Sequence, residues 1–264
     1  MGIGQSFLLP FEKNNFFIHA TIKVFFCRES GRRRNDFIDL LLDETNKDST
    51  ESKSDLELVM ISNAIIFFFA GFDTSSTTMS QVIFCFLKKP SVQERARQEI
   101  ENVIGDSKNV TADHLKELKY LENVINEAMR YNKFVTNLQR ICTKDYKVPD
   151  TDFTIIKGTP VNVEFYGIDK DCFANASEFD PDNFDANNNP NKFGFSGFGQ
   201  GPRNCIGMRY AYMALKMALV KTLTRYKVVP CEETVEKLEF DMTKNDFNGG
   251  VKFRMEKINE ENEP

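Results

Sequence analysis

The 264-residue chain has no tryptophan, two histidines and no closely spaced pair of cysteines. His19 and His114 stand apart with no HExxH arrangement, which argues against histidine-ligated metal chemistry and a histidine-dependent hydrolase. The six cysteines, at 27, 85, 142, 172, 205 and 231, form no CxxC. A zinc or iron–sulfur site made of local cysteine pairs is therefore excluded. Their wide spacing, with no signal peptide in view, suits reduced thiols facing the cytosol. No apolar run reaches the roughly 18–20 residues that a membrane span requires. The longest, residues 58–72, carries Ser62 and Asn63 and ends against Asp73. Positive charge is also scarce: the net charge is −5 and the pI about 5.3, so nucleic acid is not the default partner. The one tight basic run, Arg32 to Arg34, lies beside Asn35 and Asp36 and reads as a solvated approach to a helix.

With 41% hydrophobic and 28% charged residues, the chain has the balance of a globular protein with a sizeable core. Its 25 phenylalanines are expected to dominate that core. A helix is expected around residues 15–26, and Phe37, Leu40 and Leu41 lie at helical spacing within 35–43. After a polar linker, Ser54 and Glu57 read as a capping box opening a long helix over about 54–89, closed by Pro90. At 1.5 Å per residue it would be a rod of roughly 50 Å and the central element of the fold. Ser91 and Glu94 read as a second capping box, for a helix ending near Gly105. A helical pair fills 111–131, its second member over about 117–131. Short strands are expected at 146–148, 153–156 and 160–165, a loop at 180–201, and a helix at 206–225 with Met208, Tyr212, Leu215 and Leu219 on one face. Strand-like runs close the chain at 226–229 and 251–255. The expected class is mainly α with small β-sheets.

Three constellations could carry chemistry. Ala70, Gly71, Phe72, Asp73 and Thr74 interrupt the apolar stripe of the long helix. A mid-helix glycine costs roughly 1 kcal/mol relative to alanine, which invites a reason. One reason is the close approach of a flat ligand, with Asp73 and Thr74 handling protons; the plain alternative is a tolerated kink beside a solvated acid. Glu127 and Arg130 flank the apolar face of their helix and could point inward as an ion pair, although most such pairs lie on surfaces. Cys205 lies between a glycine-rich loop and a helix N-terminus, where backbone N–H groups favour thiolate, and Arg203 adds positive charge. GxGxxG fails there because Pro202 and Asn204 take the third-glycine positions, and GxSxG fails at Phe198.

Phe198, Gly201, Arg203, Cys205 and Gly207 fill the pattern FxxGxRxCxG, and the chain thereby resembles the cytochrome P450 superfamily. The ExxR at Glu127–Arg130 and the AGxDT at Ala70–Thr74 fall in that family's order. Residues 143–149 and 35–41 look like those of insect microsomal members. The resemblance spans nearly all of residues 1–264, as a partial heme domain whose heme-cysteine loop is 193–207. It matches about the C-terminal half of a family member, so the membrane anchor and early helices fall outside it. Two departures stand out. Residues 131–134 replace a proline-rich stretch, and Asn183 stands where the family has an arginine that joins the ExxR pair. That triad is expected to be incomplete, and an arginine at 183 to stabilise the fold.

The resemblance implies a heme-thiolate monooxygenase that inserts one oxygen atom of dioxygen into a lipophilic small molecule. Cys205 would be the axial ligand of heme b (iron protoporphyrin IX), favouring O–O cleavage. Arg203, with Arg140 as a second partner, would pair with heme propionates. Phe198 would shield the thiolate. Gly71 and Ala70 would let the long helix approach the oxygen site, where Thr74 donates a hydrogen bond and Asp73 relays protons. Glu127 and Arg130 would be structural. Electrons would come from NADPH–cytochrome P450 reductase, with Lys216, Lys221 and Arg209 offering positive charge to it. The location implied is the cytosolic face of the endoplasmic reticulum membrane. A second class stays open: an inactive fragment with residual or no heme binding, whose helices expose apolar stripes.

Overall fold

The computed structural model describes residues 35–37, 39, 40, 43, 53–105, 107, 109–132, 137–164, 172, 173, 175–185, 187, 194–241 and 246–258. The expected helix at 15–26 and the arginine run at 32–34 lie outside these. The chain divides into two compact units, Met1–Ser76 and Thr77–Pro264.

In the first unit, residues 37, 39, 40 and 43 are helical, and the Asn35 N–H donates to the Asp39 carboxylate at 2.7 Å. The rest of its described structure is the N-terminal part of helix α1 (Lys53–Lys88). Ser54 is already the second helical residue, so it does not occupy the expected N-cap position. Phe68 and Phe72, one turn apart, stack with ring centroids 6.4 Å apart, and Phe37 meets Phe67 at 4.2 Å. Ile66, Phe67, Phe68, Phe69 and Phe72 are nevertheless exposed. Among the described residues, the buried phenylalanines lie in the second unit: Phe84, Phe86, Phe173, Phe179 and Phe247.

The C-terminal part of α1 enters that second core with every residue from Gln81 to Leu87 buried. Taken whole, α1 is longer than the apolar run at 58–72. By length and composition its stretch Leu58–Lys88 could cross a membrane, with a mean hydropathy of 1.6. The buried residues 82–87 do what a core helix does.

Helix α2 (Pro90–Ile104) starts differently from expectation. Lys89 is its N-cap with no side-chain bond, and Pro90 is its first residue, where a missing N–H is no loss. Ser91 therefore lies inside the helix, and the second capping box does not form. Helix α3 (Ala112–Glu117) is capped reciprocally by Thr111 and His114, which gives the lone described histidine a structural role. Helix α4 (Lys119–Tyr131) has no cap of its own. The Glu99 carboxylate of α2 reaches it instead, accepting the Tyr120 and Leu121 N–H groups at 2.6 and 2.8 Å. A negative group there satisfies orphan donors and complements the helix dipole. Helix α5 (Met208–Leu223) buries Leu215, Leu219, Val220 and Leu223. These meet Val92, Ala96 and Ile100 of α2 and Leu121, Val124, Ile125 and Ala128 of α4 in one apolar core.

Among the described residues, four two-stranded antiparallel sheets complete the unit. They pair β1 (Asn137–Ile141) with β4 (Pro160–Glu164), and β2 (Tyr146–Lys147) with β3 (Thr154–Ile155). They also pair β5 (Tyr226–Val229) with β8 (Arg254–Lys257), and β6 (Phe240–Asp241) with β7 (Asp246–Phe247). The buried Gln93 amide donates to the Val228 carbonyl at 2.9 Å and accepts the Val228 N–H at 2.8 Å. The class is mainly α with small sheets, as expected.

Cys85 is buried beside α4, where the Asn132 amide donates to its sulfur at 3.3 Å. Burial pushes its thiol up from 9.0 to about 12, and burial also raises Tyr120 from 10.0 to about 12. The folded state holds both protons more tightly than the unfolded chain. Their contribution is fully present below pH 9 and is lost as pH rises toward about 12. The denaturant midpoint should fall across that window, and less steeply in Cys85→Ala. An equal fall in both proteins would remove Cys85 from the account.

Candidate functional site

The Cys205 loop is shaped by two left-handed glycines, Gly199 (φ +70°) and Gly201 (φ +76°), where a side chain would strain the backbone. The Gly199 N–H donates to the Ser196 carbonyl at 2.8 Å, and the Cys205 N–H donates to the Phe198 carbonyl at 2.7 Å. Gly201–Arg203 forms a short 3₁₀ turn, and Gly207 opens α5. The Cys205 thiol is exposed, three residues ahead of α5. A Cβ added to Gly207 would come within 3.9 Å of its sulfur. Phe198 is half-buried, with its ring 5.0 Å from that of Tyr212 on α5.

Two arginines converge beside this loop. Arg203 ends the 3₁₀ turn, and Arg140 is carried by β1, an element not foreseen from the sequence. Both line one open cleft of about 750 Å³, together with Leu138, Ile141, Pro202 and Ile206. Arg140 also donates to the Gln139 carbonyl at 2.9 Å. Its strand could have been found through its partner, because β4 showed the period of two.

Glu127 and Arg130 face inward, 0% and 4% exposed. The pair is bidentate: Arg130 Nε lies 2.6 Å from Glu127 Oε2 and Nη2 lies 2.8 Å from Oε1. Arg130 also donates to the Ala176 and Glu178 carbonyls at 2.9 and 3.0 Å, and stands over the Phe173 ring. Glu127 Oε1 further accepts the Asp180 N–H at 2.8 Å and the Asn183 amide at 3.2 Å. Burial pushes the Glu127 carboxyl up, against the pull of Arg130 and these donors.

Asn183 corrects one expectation. It is 4% exposed, bonded to Glu127, and its Oδ1 accepts the Asn175 N–H at 3.4 Å. The network closes around an amide, so it is not an open triad. Asn183→Arg should lower stability by about 1–3 kcal/mol, because a longer cation must displace bonded groups in a filled site. A raised melting temperature in that variant would restore the earlier reading.

The Ala70–Thr74 segment belongs to the first unit, and α1 runs through it unbroken. Thr74 donates to the Ala70 carbonyl at 2.6 Å, and Ser76 to the Asp73 carbonyl at 2.8 Å. Asp73 and Thr74 are exposed, and a Cβ at Gly71 would meet nothing within 4 Å. Lys216, expected on a docking surface, is instead 2% exposed. Its ammonium donates to the Leu115 carbonyl at 3.0 Å and to Glu122 at 2.6 Å, so it ties α5 to both α3 and α4.

A group that carries a thiol-seeking metal and two carboxylates matches this donor set: an exposed sulfur with two guanidinium groups lining the cleft beside it. The protein is mainly helical and presents an exposed cysteine beside a cleft that two arginines line. The sequence model of the Cytochrome P450 family matches residues 19–248, and the chain belongs to that family. It is 33% identical over 234 residues to Cytochrome P450 3A18 of Rattus norvegicus, covering 86% of this chain and 47% of that protein. It is 34% identical over 264 residues to Cytochrome P450 6k1 of Blattella germanica, covering 88% and 50%. With Cytochrome P450 6a9 of Drosophila melanogaster the identity is 35% over 235 residues, covering 84% and 47%. The expected likeness to insect members holds, and a rat member is similar to the same degree. The chain spans about half the length of these relatives.

Proposed function

We propose that this chain carries the heme-thiolate half of a monooxygenase that oxidises a lipophilic small molecule. The observation that carries the reading is the Cys205 thiol, exposed on a loop pinned by the Phe198 carbonyl beside the Arg140–Arg203 cleft. Cys205 would hold heme b through iron, while Arg203 and Arg140 would neutralise its propionates. When bound, heme supplies the dioxygen-activating chemistry of the family. The chain's own residues do the rest. Phe198 would pack beside the bound sulfur, the Glu127–Arg130 pair anchors α4 to the segment 176–183, and Asp73 and Thr74 would handle protons. Dioxygen, a lipophilic substrate and NADPH–cytochrome P450 reductase are the partners of this reading. Arg209 and Lys221, both exposed, remain for docking the reductase. Association with the cytosolic face of the endoplasmic reticulum membrane completes it.

The test is the reduced, CO-bound absorption spectrum of the chain reconstituted with hemin. A strongly red-shifted Soret band supports thiolate ligation, and its absence overturns it. A second reading, heme binding without turnover, is favoured by the exposure of Cys205, since water has direct access to the sulfur that would hold the iron. Product formation with reductase and NADPH separates the two. In an active context, Thr74→Ala should keep heme content while diverting electrons to peroxide, about tenfold or more relative to product. Unchanged peroxide release would remove Thr74 from the mechanism.

A further inference from the structure

We infer that Tyr212 is a positioning residue that latches the Cys205 loop to helix α4. Its ring packs on Phe198 with centroids 5.0 Å apart, and its hydroxyl donates to Asn126 Oδ1 at 2.6 Å. Phe198 in turn accepts the Cys205 N–H through its carbonyl at 2.7 Å. A continuous path therefore runs from Asn126 on α4 through the Tyr212 and Phe198 rings to the backbone that presents the thiol. Asn126 lies next to Glu127, so the latch fastens the loop to the helix whose buried ion pair is the most constrained feature of the unit. Burial raises the Tyr212 hydroxyl well above the ordinary phenol range. The Cys205 loop needs such a latch. Residues 201 to 206 are all exposed, with Ile206 at 85%, so its own side chains bury little. Two left-handed glycines shape the turn, and a glycine carries no side chain that could anchor it.

The role of Tyr212 rests on the heme-thiolate reading only for its purpose, and its test does not need heme. Amide hydrogen exchange is compared without hemin in the full chain, Tyr212→Phe, Asn126→Ala and the double variant. Tyr212→Phe keeps the ring and the fold but removes the hydroxyl. Exchange at the Cys205 amide should quicken about fivefold, the effect of one lost buried hydrogen bond. Amides of α2 and of the β5–β8 sheet should not change. Asn126→Ala should give the same acceleration, and the double variant no more than either. An unchanged Cys205 amide, additive effects, or equal acceleration throughout the unit would overturn the latch. Hemin is then added to the unsubstituted chain and to Tyr212→Phe. A thiolate-type CO band that weakens in the variant supports the positioning role. Absence of the band in the unsubstituted chain overturns the heme reading alone and leaves the exchange result standing.

Discussion

Glu127→Ala is expected to lower the stability of the chain by about 3–5 kcal/mol, enough to unfold a marginal domain. Removing the carboxylate leaves the Arg130 guanidinium charged in a site with 4% exposure, and strips the Asp180 N–H and Asn183 amide of their acceptor. The segment from Ala176 to Asn183 is held to α4 by these bonds. Losing them releases a loop together with the pair. Replacing both partners, as Glu127→Leu with Arg130→Met, should cost less than the single change, because no buried charge is stranded. Denaturant midpoints of the two variants check this directly. A single variant within about 1 kcal/mol of the parent would show that the pair is not what closes this part of the core.

Cys205→Ala should have the opposite character, with no effect on folding and a total effect on the heme spectrum. The side chain is exposed, and the loop is held through the Cys205 backbone N–H, which alanine keeps. Stability should stay within about 0.5 kcal/mol of the parent, as for other exposed substitutions. The red-shifted CO band should vanish completely. Among the described thiols, Cys85 and Cys172 are buried, while Cys142 and Cys231 are partly covered. A band that survives in Cys205→Ala would assign the sulfur to one of these and refute the proposed ligand.

What the sequence made legible was local. The span of α1 followed from apolar spacing, and the Cys205 loop from five fixed positions within ten residues. The ExxR pair faces inward, one of the two placements its helix face left open. Illegible were the parts decided by distant residues. The N-terminus of α4 is capped by Glu99 from another helix, so no motif in its own sequence announces it. The strand β1 reads Asn-Leu-Gln-Arg-Ile, without a clean alternation, and exists because β4 pairs with it. Lys216 looked like surface charge until Glu122, 94 residues away, turned out to be its partner. The Tyr212–Asn126 bond joins residues 86 apart, a distance across which single-sequence patterns carry no signal. The supposed gap at Asn183 was an error of the same kind, because backbone donors and carbonyls of the 176–183 segment serve the buried pair.

The Gln93 side chain has a consequence for solubility. Among the described residues, strand β5 pairs with β8 alone, and its other edge has no strand beside it. Such an edge is a template on which a second chain can add a strand. Gln93 occupies it at Val228 by offering one donor and one acceptor, as a neighbouring strand would. A single amide from a helix thus acts as a one-residue false strand, closing the edge to self-association at the point where the sheet meets the core.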